Sequence, residues 1–369
     1  MIGDHLSSSS IGNRRRSTNL RSAMVPAVLA FALIAAGCGS TPVSSSAVTA
    51  ADLALYEGPD RLQRLVEGAR REAELSIYTS AQANDLGPVV QAYEKKYGVK
   101  ASIWRAGSEA VVNRTIQEAR AGRHTIDIVD TNGPELEMLS REQHLQRVKS
   151  PYHADLIAPA IPPHGEWVGT RVNVFVQAYN TKLIKKEELP KTWEDLADEK
   201  WKGKLGIEQE DFDWLAGIYG DIGEERAKNA FKRIIASNGV SVRKGHTLLT
   251  QLVASGEVPL ALTVYNYKAE QMRKQGAPID WFTIGKAIAR PNGLGVMRRA
   301  PHPHAAVLFY DFALSEEGQK ILASEFVPTS KKINTVLNTI AIAFVDPRVT
   351  LDEYEEWKNL YMDLFGEAR

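Results

Sequence analysis

The chain has 369 residues with 45 basic and 45 acidic side chains, so it carries no basic field of the kind that neutralises phosphates, and nucleic acid is not an expected partner. Its single cysteine excludes an intramolecular disulfide framework. An apolar content of 44% over this length, with 17 prolines and 27 glycines, is enough for two domains that share a hinge and own separate cores.

In chain order, Arg14, Arg15, Arg16 and Arg21 precede an apolar run from Ala23 to Ala36, the layout of a secretory signal. The run holds Pro26 and falls short of the roughly 20 apolar residues of a spanning helix. It ends Ala35-Ala36-Gly37-Cys38, which resembles a bacterial lipoprotein cleavage site: residues 1–37 read as the signal and Cys38 as the lipidated N-terminus. Ala35 stands where such sites more often carry Leu, a chance cysteine is the plain alternative, and Arg15-Arg16 also admits a twin-arginine export reading. Cleavage leaves 41 basic and 44 acidic residues. Residues 38–52 are rich in Ser, Thr, Ala and Gly without apolar periodicity, which predicts a flexible tether.

Leu53, Leu55, Leu62, Leu65 and Val66 recur at helical spacing, interrupted at Gly58-Pro59, and lead into a strand from Leu75. The unit repeats, with a helix from Leu86 to Tyr97 stopped by Gly98, a strand over 99–104, a helix over 109–121 and a strand over 126–129. Such alternation predicts a mostly parallel sheet. From Trp167 to Asn180 the valines Val172, Val174 and Val176 alternate with polar residues, the pattern of an extended crossing strand. A second α/β block follows to about residue 285, and Arg290-Pro291-Asn292-Gly293 opens a return strand. Fold class is therefore α/β, two lobes with a hinge and cleft: lobe 1 over 53–176 and 286–369, lobe 2 over 177–285.

The strands of the first block end in small or polar residues, the edge outside which open α/β sheets bind ligands. On that ground lobe 1 offers Thr79, Ser80 and Ala81, then Ser108 and Glu109, then Asp130, Thr131 and Asn132. Lobe 2 offers Glu208, Arg243, Tyr265, Asn266 and Tyr267, with Glu210, Asp211 and Asp213 close by, while Arg171 lies on the crossing and Arg290 and Asn292 on the return. Turn and cap chemistry is the competing explanation for the lobe 1 residues, and a solvated loop for the acidic run.

The phrases Ala178-Tyr179-Asn180-Thr181, Thr192-Trp193-Glu194-Asp195-Leu196-Ala197 with Lys200-Trp201-Lys202-Gly203-Lys204, and Pro303-His304-Ala305-Ala306 with Leu314-Ser315-Glu316-Glu317-Gly318-Gln319 are together specific. On these the chain resembles the extracellular solute-binding proteins of bacterial ABC importers, in the branch that includes the ferric-ion-binding proteins. The resemblance implies the two-lobed type II periplasmic binding fold, a monomer without a cofactor, and a permease and ATPase as partners. It also implies an extracytoplasmic place, with the membrane reached through the lipid anchor. In the iron-holding branch two adjacent tyrosines bind the metal. Here Asn266 separates Tyr265 from Tyr267, and a ferric site would have to draw on Glu109, Glu208, Tyr265 and Tyr267. A small organic carboxylate or phosphonate held by arginine forks is the preferred ligand. The acidic run would suit a cation instead.

No nucleophile elbow, zinc-protease helix or phosphate loop is present, which speaks against an exported enzyme. A receptor-coupled sensor remains a second reading. His302 and His304 flank Pro303 in a loop and do not share a helix face; His246 reads as a cap or surface residue, and Trp214 as core.

Overall fold

The helices and strands expected from the sequence appear, with ends shifted by up to a few residues, in the computed structural model, which describes residues 49–366. The signal segment, Cys38 and most of the tether lie outside the described residues. The tether's last three residues are helical. Thr49 and Asp52 form a reciprocal cap for α1 (Ala50–Ala54), and Ala50, Leu53 and Ala54 are buried, so order starts earlier than composition indicates.

The first block runs α2 (Arg61–Glu72), β1 (Glu74–Thr79), α3 (Ala83–Tyr97), β2 (Lys100–Arg105), α4 (Ser108–Arg120), β3 (Ile128–Asn132), α5 (Gly133–Arg141) and β4 (Leu145–Gln146). Gly98 ends α3 with a left-handed φ of 76°, as its sequence position requires. β1 pairs in parallel with both β2 and β3. The crossing strand β5 (Val168–Asn180) is buried along all thirteen residues, because both of its faces are covered.

The second block comprises β6 (Leu205–Glu208), α6 (Phe212–Ile222), α7 (Glu224–Asn238), β7 (Ser241–Arg243), α8 (His246–Ser255), β8 (Leu260–Tyr265), α9 (Asn266–Lys274) and β9 (Ile279–Phe282). The return strand β10 (Ala287–Met297) is followed by α10 (Pro303–Leu314), α11 (Glu316–Leu322), β11 (Val327–Pro328), β12 (Ile342–Phe344), α12 (Pro347–Asp352) and α13 (Tyr354–Phe365). Along the sheet the order is β2-β1-β3-β10-β5-β8-β6-β7, with β10 antiparallel to β3 and β5, and β5 antiparallel to β8. Two long central strands thus join a parallel half on one side to a parallel half on the other.

One aliphatic and aromatic core lies under the first half, around Leu75, Tyr93 and Phe309. Another lies under the second, around Trp193, Trp214 and Phe231, whose rings meet at 5.4–5.6 Å. Trp214 is core, as read from sequence. The end of the chain departs from the expected lobe 1: Tyr361, Leu364 and Phe365 of α13 enter the second core, and the Tyr361 hydroxyl donates to the Glu208 carbonyl. An aromatic stripe goes to whichever apolar face is open, and α6 and α7 offer one.

The family phrases are structural. The Thr192 hydroxyl and the Asp195 carboxylate exchange hydrogen bonds with each other's backbone amides, and Ser315 caps α11 through the Gly318 amide. His302 bonds Asp127 and His304 bonds Glu72, tying α10 to the first half.

Where β5 and β10 cross, the register shifts between Asn292 and Gly293. A Cβ on Gly293 would fall 1.8 Å from the Val168 carbonyl oxygen and 2.7 Å from the Gly169 Cα, whereas one on Gly295 would meet only the Leu145 side chain. Gly293→Ala should therefore force the two strands apart and cost on the order of 2 kcal/mol or more. Gly295→Ala should cost less, which equilibrium urea denaturation of the pair will show.

Candidate functional site

The ends of β1 and β3 bring Thr79 and Asp130 together inside the first half. Arg171 of β5 donates to both Asp130 oxygens, at 2.6 and 3.1 Å, and the Thr79 hydroxyl adds a third bond at 2.6 Å. Arg171 and Asp130 are each 2% exposed, and the guanidinium lies 4.9 Å from the Phe326 ring centre. Both terminal nitrogens of the fork are thus engaged by Asp130, so the paired face that would grip a ligand's oxyanion is already taken. The Thr131 hydroxyl donates to Ser80, Asn132 donates to Ser108, and the Ala81 amide donates to Thr79. These loops are thus partly consumed in binding one another.

The second half supplies the denser group. Arg290 donates to Asp213 at 2.5 Å and to the Tyr265 hydroxyl at 2.7 Å. Tyr265 stacks on His246 with ring centres 3.6 Å apart and a tilt of 27°, and on Tyr267 at 5.8 Å and 14°. His246 reaches Asp211 at 3.0 Å. The two Glu208 oxygens accept from the Gly245 and Glu210 amides, which ties the loops after β6 and β7 together.

Burial, with the Asp211 charge beside it, pushes the Glu208 carboxyl up to about 7. Burial opposes the charged form of His246, but the Asp211 and Glu208 carboxylates outweigh it and raise its pKa. Burial also lifts both phenols, Tyr265 and Tyr267, above their usual range, so tyrosinate is disfavoured.

Two expectations are thereby corrected. The acidic run is not a solvated loop, since Glu208, Asp211 and Asp213 are buried and Glu210 alone of the four is exposed. His246 is neither free cap nor surface: it opens α8 with its ring held between Asp211 and Tyr265. Two residues expected at the site form no side-chain hydrogen bond within this group. Glu109, in the first turn of α4, is exposed, and Arg243 turns toward Glu257 at 3.7 Å. Asn266 is buried at the start of α9. Asn292 donates to Asn132 at 2.7 Å, linking the return strand to the first half.

Sequence reasoning missed Glu135, in the first turn of α5, whose carboxyl is pushed up by burial and pulled down by Arg290. It also missed a contact between halves, where Lys268 of α9 meets Asp85 of α3 at 2.5 Å. Beside that pair Gln271 donates to Glu325, and Tyr267 packs on Phe326. The strand-end rule that found the other residues extends to His246 and Glu135, which open helices straight after β7 and β3.

Four buried atoms at this seam have no hydrogen-bond partner: Arg290 Nε, Asn292 Oδ1, Asp211 Oδ2 and His246 Nδ1. Among the described residues five other buried atoms without a partner lie away from it, Trp193 Nε1, Trp201 Nε1 and Tyr219 Oη among them in the second core, so the four matter for their chemistry and not for their number. Residues 124–346 match the family model described as bacterial extracellular solute-binding protein. The chain belongs to that family.

This binding protein is 22% identical over 265 residues to the "Fe(3+)-binding periplasmic protein" of Serratia marcescens, covering 69% of this chain and 78% of that one. To the "putative 2-aminoethylphosphonate-binding periplasmic protein" of Salmonella typhi it is 26% identical over 239 residues, covering 62% and 68%. Among solved structures, iron-bound HitA from Pseudomonas aeruginosa has a TM-score of 0.70 at 23% identity, covering 79% of this chain and 99% of that one. The periplasmic binding protein AfuA from Actinobacillus pleuropneumoniae, solved with fructose-6-phosphate, also has a TM-score of 0.70, at 22% identity, covering 80% and 99%. The fold is that of the two-lobed type II periplasmic binding proteins. Among the described residues no helix is long and apolar enough to cross a membrane.

Proposed function

We propose that this binding protein captures a small organic solute bearing an oxyanion and a hydrogen-bond donor, held in the seam between its lobes. It then hands the solute to the permease and ATPase of an ABC importer, tethered to the membrane by acylated Cys38. The observation that carries the reading is the pair of unpartnered atoms on β10: Arg290 Nε is a donor suited to an oxyanion, and Asn292 Oδ1 an acceptor suited to a hydroxyl or amine. The uncapped starts of α4 and α5 support it, because helix N-terminal amides favour negative charge. Relatives named for an aminophosphonate and crystallised with a sugar phosphate lie within this chemistry.

Ferric ion is the second reading, favoured by the stacked Tyr265 and Tyr267 and by the iron-binding relatives. It is the weaker one. Glu109 stands exposed, and the Tyr265 hydroxyl is engaged by Arg290.

Calorimetry against aminoalkyl phosphonates, sugar phosphates and ferric ion separates the two. We expect one of the organic oxyanions to bind, and Asn292→Leu to weaken it by about tenfold, on the order of 1.4 kcal/mol. Binding of ferric ion alone, with the visible colour of a tyrosinate complex, would rule the organic reading out.

A further inference from the structure

We propose that the second lobe by itself holds a divalent transition-metal ion such as zinc, ligated by Glu208, Asp211 and His246. The three side chains each offer a ligand atom, and these atoms lie within 4.8 Å of one another. They come from three segments that a short hydrogen-bond network fixes: the end of β6, the residue before α6, and the first residue of α8. Two carboxylates and one imidazole are a donor set that suits zinc and its first-row neighbours, with a further coordination position left for water.

The acidic grouping does not stand alone as evidence. Asp211, 2% exposed, has its Oδ2 without any hydrogen-bond partner, and His246 Nδ1 is likewise unpartnered. Glu208 keeps lone pairs beyond the two used by the Gly245 and Glu210 amides, since each carboxylate oxygen accepts twice. Those amides hold the carboxylate in place, as outer hydrogen bonds do around metal ligands. Two carboxylates and a neutral imidazole offset the ion's charge, and Asp213 balances the neighbouring Arg290.

All three ligands belong to one lobe, so the ion binds whether or not the lobes are closed and whichever solute is carried. This makes the inference independent of the solute reading. It shares Glu208 with the ferric set but uses none of that set's Tyr265, Tyr267 and exposed Glu109.

The test is titration of the chelator-treated mature protein with zinc against a chromophoric competitor, paralleled by cobalt(II) followed through its visible ligand-field bands. One tight equivalent is expected. Asp211→Asn and His246→Gln should each weaken it at least tenfold and alter the cobalt spectrum, with circular dichroism and melting curves confirming that both variants fold. Absence of a tight equivalent in the parent protein, or one whose affinity and cobalt spectrum neither variant changes, overturns the proposal. Solute calorimetry on the metal-free protein reports separately on the organic ligand.

Discussion

Arg171→Ala is expected to destabilise the protein by about 3–5 kcal/mol, the cost of leaving one member of a buried ion pair uncompensated. Asp130, 2% exposed in the intact protein, would keep only the Thr79 hydroxyl on its side chain and lose the guanidinium paired with it, at the junction of β3, β5 and β10. Adding Asp130→Asn to the same chain should recover part of the loss, because the stranded charge is then removed. Urea denaturation of the two single variants and the double variant gives the coupling directly. Were Arg171 instead a ligand-holding fork, the alanine variant would keep its stability and lose solute affinity alone.

Lys268→Ala should act on closure. Lys268 and Asp85 sit on opposite lobes and are nearly buried where they meet. In an open form both charges return to water, so the penalty of an unpaired Asp85 falls on the closed state. If that penalty is about 3 kcal/mol, solute affinity falls on the order of a hundredfold. Stability of the solute-free protein should change little. Calorimetry with the native solute, together with a melting curve of the solute-free variant, checks both halves. A variant that binds as tightly as the parent would show that this contact contributes nothing to holding the lobes together.

The sequence was most legible where local chemistry decides the outcome. Gly98 had to end α3, Ser315 had to cap α11, and the valines of β5 had to form a strand. Strand ends were also legible as an edge, and Thr79, Asp130 and Tyr265 do lie at or beside the carboxyl ends of β1, β3 and β8. What the pattern could not carry was pairing across long separations. Asp213 and Arg290 lie 77 residues apart and Asp85 and Lys268 183 apart, and nothing local distinguishes a carboxylate that will meet an arginine from one that will meet water. The competing reading of the acidic run after β6 as a solvated loop fails for that reason: polar composition suggests a loop, while Glu208, Asp211 and Asp213 are buried, with His246 of α8 and Tyr361 of α13 bonded to them. Likewise the amphipathic helix α13 announces an apolar face but not its host, and it docks on the second core through Tyr361 and Phe365. Glu109 and Arg243 show the opposite limit. Both occupy the right positions along the chain, but their side chains point to solvent or to a neighbouring carboxylate.

In the proposed reading, the unpartnered Arg290 Nε and Asn292 Oδ1, which neither composition nor strand patterning reveals, connect the fold to its task. A solute that satisfies Arg290 Nε and Asn292 Oδ1 while touching the helix starts of the first lobe binds best when both halves reach it. Binding and closure are then one equilibrium.

The most direct check is small-angle X-ray scattering of the mature protein with and without the solute that native mass spectrometry finds on it. The account predicts a smaller radius of gyration in the loaded protein, reversed when the solute is dialysed away. A scattering curve identical in both states, at solute concentrations that saturate the calorimetric signal, would contradict it.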